Sequence, residues 1–96
     1  MIAYRTMTSQ EFEMIKVAVK QQAKGLSFAY NNGIARISPT KQLAYNMTTE
    51  TAEIVLGILK SQGCFTSRIE QEFSSAKGYG CEYTSSQIFS DIYMLA

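Results

Sequence analysis

Phe12, Ile15, Val19 and Gln22, with Ala18 and Ala23 beside them, recur at helical spacing behind the tetrapeptide Thr8-Ser9-Gln10-Glu11. That tetrapeptide reads as a capping box: Thr8 accepts from the amide of Glu11 while the Glu11 carboxylate reaches back to the amide of Thr8. Gly25 supplies a left-handed residue to end the segment, so the pattern predicts a first helix over Ser9–Lys24.

The period then changes from 3.6 to 2. Leu26 to Tyr30 and Ile34 to Ser38 alternate on either side of Asn32-Gly33, the pair suited to positive φ at both centres of a type I′ turn. With Asn31 opposite Ile34, Tyr30 meets Ala35, Phe28 meets Ile37 and Leu26 meets Pro39. One side of the hairpin is then Leu26, Phe28, Tyr30, Ala35 and Ile37, and the other carries Ser27, Ala29, Asn31, Ile34, Arg36 and Ser38. Helices should cover only the first side.

After a turn at Pro39-Thr40, Leu43, Tyr45 and Met47 alternate with Gln42, Ala44 and Asn46 as a third strand. Met1–Arg5 adds an edge strand in this reading. Thr48 or Thr49 caps a second helix whose Ala52, Val55, Leu56 and Leu59 form one stripe, widened by Ile54 and Ile58 until it nearly encircles the helix; such a helix belongs at the centre. Gly63 ends it. Ser67-Arg68-Ile69-Glu70 reads as a second capping box before a short helix with Ile69, Phe73 and Ala76 inward and Gly78 as its stop. Gly78-Tyr79-Gly80-Cys81-Glu82-Tyr83 is the most loop-like stretch, and a last helix capped by Ser85 or Ser86 carries Ile88, Phe89, Ile92 and Tyr93. The expected fold is a small single α+β domain over residues 1–96, order (β)αβββααα. Its antiparallel sheet has three strands, four if the edge strand joins, with helices on one face.

Composition fits that picture. Ninety-six residues suit one core, and 46% apolar with 18% charged residues describes a domain with fewer charges than the average of about 25%. Nine basic against eight acidic residues leave a net charge of +1, far from the basic balance that phosphate-backbone binding uses. With little long-range steering, affinity has to come from shape and buried contact. No apolar run approaches the roughly 20 residues of a membrane helix, and Met1–Arg5 is too short for a signal peptide, so no membrane partner and a cytoplasmic location are expected. Cys64 and Cys81 should then stay as thiols.

The chemistry available to the chain is narrow. There is no histidine, which removes the commonest general base, the commonest zinc ligand and every Ser-His or Cys-His nucleophile. Two cysteines 17 residues apart match no paired zinc spacing, and no glycine-rich loop precedes a helix in a phosphate-binding pattern; no metal or cofactor is expected. Glu11 and Glu13, and likewise Glu70 and Glu72, are two apart and point to different helix faces, so they read as solvated surface rather than acid/base pairs. Cys81 beside Lys77 reads as an idle thiol.

Three surfaces are candidates for binding. Lys16, Lys20 and Lys24, four apart, make a basic row on the first helix, where Glu13 and the helix C-terminus offer an ordinary electrostatic account as well. Tyr79 and Tyr83, set among glycines, are expected to be partly exposed anchors. Tyr30 and Tyr45 belong to the core by strand phase, and the pattern assigns neither Tyr4 nor Tyr93. Finally, Thr51–Phe73 resembles a helix-turn-helix, with Ala52–Lys60, a turn through Gly63, and a helix from Ser67. That resemblance implies that the second helix enters the major groove, with Arg68 as its donor. Glu70 and Glu72 carry the wrong sign for phosphate there.

The expected function is therefore a non-enzymatic regulator or inhibitor that docks on a larger protein or complex, of the kind that phages and mobile elements use for counter-defence, anti-CRISPR proteins included. A nucleic-acid-binding regulator and a homo-oligomeric structural protein, with a homodimer as its simplest form, are the alternatives.

Overall fold

The computed structural model of the chain describes residues 3–40, 46–78 and 83–96. It begins with strand β1, Tyr4–Arg5, and helix α1, Ser9–Gln22. The capping box forms: Thr8 Oγ1 accepts from the Glu11 amide at 3.1 Å and Glu11 Oε1 accepts from the Thr8 amide at 2.9 Å. Arg5 adds two parallel bonds to the same carboxylate at 2.9 and 2.7 Å. That guanidinium first, and the Thr8 amide second, hold the Glu11 carboxyl down at about 2. α1 stops at Gln22, two residues short of Lys24, because Ala23 already adopts an extended backbone (φ −138°) and caps onto Val19.

Strands β2, Leu26–Asn31, and β3, Ile34–Pro39, pair in the register that the sequence dictates, Asn31 with Ile34 through Leu26 with Pro39. Asn32 and Gly33 both have positive φ, 52° and 81°, as a type I′ turn demands. Gly33 is needed for a second reason: a Cβ there would lie 2.6 Å from Thr6 Cβ, where the Gly33 carbonyl accepts from the Met7 amide at 2.7 Å. α1 covers the apolar side of the hairpin. Phe12 stacks on Tyr30 with ring centroids 4.9 Å apart, and the Tyr30 hydroxyl donates to the Met7 carbonyl at 2.6 Å.

Strand β4, Asn46–Thr48, leads into helix α2, Thr49–Ser61, which is capped by Thr48. Ala52, Val55, Ile58 and Leu59 of α2 are buried in the centre of the core. Strand β5, Cys64–Phe65, and helix α3, Ser67–Gly78, follow. Ser67 is the first residue of α3 and not its cap. The Glu70 carboxylate accepts instead from Thr66 Oγ1 at 3.1 Å and Lys60 Nζ at 2.9 Å, so its partners are not those of the expected box.

The last segment departs most from its expected form. In place of a final helix there are strand β6, Tyr83–Ser85, one 3-10 turn over Ser86–Phe89, and strand β7, Tyr93–Leu95. Asp91 takes a left-handed conformation, φ 50°, which breaks any helix through Ile88 and Ile92. Beyond it, Ile92 and Met94 are buried while Tyr93 and Leu95 face outward, a period of 2. The three-stranded antiparallel sheet is β1-β7-β5, so β7 is its centre, and β4 pairs with β6 rather than extending the hairpin. Residues Leu43 and Tyr45 of the expected third strand lie outside the described residues. A bridge between Ala35 and Ile92 ties the hairpin to the entrance of β7. The α+β class and the antiparallel pairing agree with the sequence; the membership of the sheet does not.

Candidate interaction surface

Register decides which side chains share the outer face of the β1-β7-β5 sheet. Tyr4 pairs with Leu95 and Phe65 with Tyr93, while the alternate positions Cys64 and Met94 point into the core. Four apolar side chains, three of them aromatic, therefore stand together outside. Tyr4 is the hub, its ring 4.7 Å from Tyr93 and 5.1 Å from Phe65, tilted against both. Tyr4 and Leu95 remain 45% and 53% exposed. Single exposed apolar residues are ordinary, but a contiguous aromatic cluster is a patch.

The rim is polar and fixed. Arg68 of α3 donates to the Ser90 carbonyl at 2.6 Å and to Glu72 at 3.1 Å. Arg68, Ile69 and Asp91 close one side of a hollow of about 120 Å³ whose other walls are Tyr4, Phe65 and Tyr93. The left-handed turn at Asp91 sets the edge of that hollow. The Tyr4 ring, about half exposed, and the more covered Phe65 and Tyr93 rings form an apolar centre bordered by the hydrogen-bonded Arg68, a pairing of aromatic centre and polar edge that interface hot spots often have.

Those of the residues singled out in the sequence that the structure describes do not form one such patch. Lys16 and Lys20 lean over aromatic rings of their own chain, 6.0 Å from the Phe12 centroid and 5.7 Å from that of Phe28. Lys24 lies past the end of α1, so the basic row does not continue along a helix face. Arg68, the donor that a helix-turn-helix would present, is tied down at the aromatic rim, and the turn between α2 and α3 contains β5, hydrogen-bonded to β7. Tyr79 and Cys81 lie outside the described residues. Tyr83 opens β6, paired with Thr48.

Three of the described titratable side chains, Cys64, Glu70 and Glu72, are buried or paired. Burial pushes the Cys64 thiol up to about 11, and its sulfur lies 3.8 Å from that of Met94. Glu70 is held below the usual carboxylate range by Lys60 first and Thr66 second, and Glu72 faces Arg68. Among the described residues no three Cys, Asp or Glu side chains converge as a metal site would need, and no helix is long and apolar enough to cross a membrane.

Sequence reasoning missed the aromatic face because its members come from three distant segments. Its one local signal was the alternation Ile92-Tyr93-Met94-Leu95. The chain matches no protein-family model, no curated protein and no solved structure.

Proposed function

We propose that the chain is a non-enzymatic binding protein that regulates or inhibits a larger protein assembly by direct contact, with the outer face of the β1-β7-β5 sheet as its anchor. The observation that carries this reading is the cluster of Tyr4, Phe65, Tyr93 and Leu95, held on paired strands with two members about half exposed. Rings fixed in this way lose little side-chain entropy on binding, which is why tyrosine dominates interface hot spots. The quenched thiol of Cys64 and the ion-paired Glu11, Glu70 and Glu72 support a role without covalent or acid/base chemistry.

A counter-defence protein of a phage or mobile element, anti-CRISPR proteins among them, works by such contact in the host cytoplasm, and the near-neutral charge of +1 suits a protein partner better than a nucleic acid. The helix-turn-helix reading draws less support, since Arg68 is engaged by Ser90 and Glu72.

The test is an affinity capture from the native host with the parent chain and with Tyr4→Ala/Leu95→Ser, both verified as folded by circular dichroism. Loss of at least tenfold in bound partner is expected for the double variant, in line with hot-spot truncations of roughly 2 kcal/mol or more. Equal capture by both chains removes this face as the anchor.

A further inference from the structure

The solvent side of α1 carries a second, independent pattern. Gln10, Met14, Val17 and Gln21 follow one another at spacings of four, three and four, the a/d seam of a helix pair. Met14 and Val17 are 63% and 53% exposed, so the seam lies open. With Glu13, Ala18 and Gln21, and with Gln62 at the end of α2, they border a shallow hollow of about 390 Å³.

The charges beside this seam are self-complementary. Glu13 and Lys20 each directly precede a seam residue and are seven apart, so they lie on the same flank. When two helices pair antiparallel, residues on that flank meet their own kind across the twofold axis. Setting Met14 against Val17 of a second copy places Glu13 opposite Lys20 of that copy, and symmetry repeats the pair. Side chains lean toward the N-terminus of their helix, which in antiparallel helices brings these two tips together. The other flank carries Ala18, small enough for close approach, and Glu11, already held by Arg5. Lys16 sits over Phe12 and Lys20 over Phe28, so Lys20 exchanges its ring contact for the carboxylate when the second copy docks.

We infer that this face of α1 binds a second copy of the chain, as an antiparallel α1 pair with Met14 against Val17 and reciprocal Glu13–Lys20 ion pairs. The helix has 14 residues, and two apolar positions per copy fall well short of the ~800 Å² per partner of a stable dimer. The dimer is therefore weak and forms in the upper micromolar range. It shares no residue with the aromatic sheet face, so each proposal stands or falls by itself.

Sedimentation equilibrium from about 20 μM to about 1 mM tests it. The parent chain is expected to rise from 10.7 kDa toward twice that mass. Glu13→Lys and Lys20→Glu each put like charges across the axis and should weaken association about tenfold. The swap Glu13→Lys/Lys20→Glu rebuilds both pairs with signs reversed and should restore it to within about threefold of the parent. Because the swap also lacks the Lys20 contact with Phe28, its recovery separates pairing across the axis from damage to the fold. Met14→Asp should leave a monomer. A parent chain that stays monomeric throughout overturns the inference and leaves the face to a different protein. A swap no better than the single changes, or association that survives Met14→Asp, overturns it equally.

Discussion

The two principal sheets each bury one face, yet they leave opposite chemistry outside. On the hairpin, Ser27, Ala29, Asn31 and Arg36 face solvent, and Ser27 and Ser38 hydroxyls meet at 3.0 Å. On the β1-β7-β5 sheet the outward positions are Tyr4, Phe65, Tyr93 and Leu95. The hairpin even borders the larger hollow, about 530 Å³ against 120 Å³, but its walls include Asn31, Arg36, Ser90 and Asp91. Size is thus a poor guide: a polar strand face costs nothing to leave wet, whereas partly exposed rings gain by being covered. The outer hairpin face finishes a fold, and the outer aromatic face is the one we propose as the anchor for a partner.

Substitutions within β7 divide this contrast most sharply. Met94→Ala removes an inward side chain packed near Cys64 and should cost roughly 2–5 kcal/mol in a denaturant titration. Its neighbour Leu95→Ala, pointing out, should cost under roughly 1 kcal/mol and act on binding instead. Similar losses for both would erase the distinction between the two faces of this sheet.

Gly33→Ala comes next. A φ of 81° and the approach of Thr6 make it destabilising by roughly 1–3 kcal/mol, measured in the same titration. Because the hairpin face carries no partner in this account, the variant should lose stability without losing specificity for whatever the aromatic face binds.

A pH effect follows from the clasp between β1 and α1. The Glu11 carboxyl sits at about 2 in the folded chain against an ordinary 4.5, so the unfolded chain takes up protons first as the pH falls. Its stabilising contribution is complete above about 4.5 and is lost as the pH drops toward 2. Glu11→Gln should flatten that part of a stability-versus-pH profile, and an unchanged slope would show that Arg5 does not hold this carboxylate in solution. The smallest effect belongs to Ser27→Ala on the hairpin's wet face, within about 0.5 kcal/mol and without influence on binding.

The same contrast explains what could be read from the sequence. The hairpin was legible because Asn32-Gly33 demands two positive φ angles, and that turn fixes every cross-strand pair and both faces with it. The Thr8 box and most of the buried stripe of α2 were legible for the same reason, since their spacing is set within a few turns of chain, although Ile58 is buried and Leu56 only partly so. β7 was not. Ile88, Phe89, Ile92 and Tyr93 satisfy a helical period across Ser90-Asp91, and only pairing with β1 and β5, far away in sequence, selects the strand. The second box was misread because Thr66 and Ser67 are adjacent hydroxyls: Ser67 is already the first residue of α3, and it is Thr66 that bonds the Glu70 carboxylate. The aromatic face inherits this: Tyr4, Phe65 and Tyr93 have no common face until β7 is known to lie between β1 and β5.

Hydroxyl-radical footprinting of the chain, alone and with the protein captured from its host, tests the aromatic anchor most directly. Oxidation of Tyr4, Phe65 and Tyr93 should fall severalfold in the complex, while Pro39 and Ile34 of the hairpin keep their reactivity. Rings that oxidise as fast in the complex as in the free chain would contradict the account.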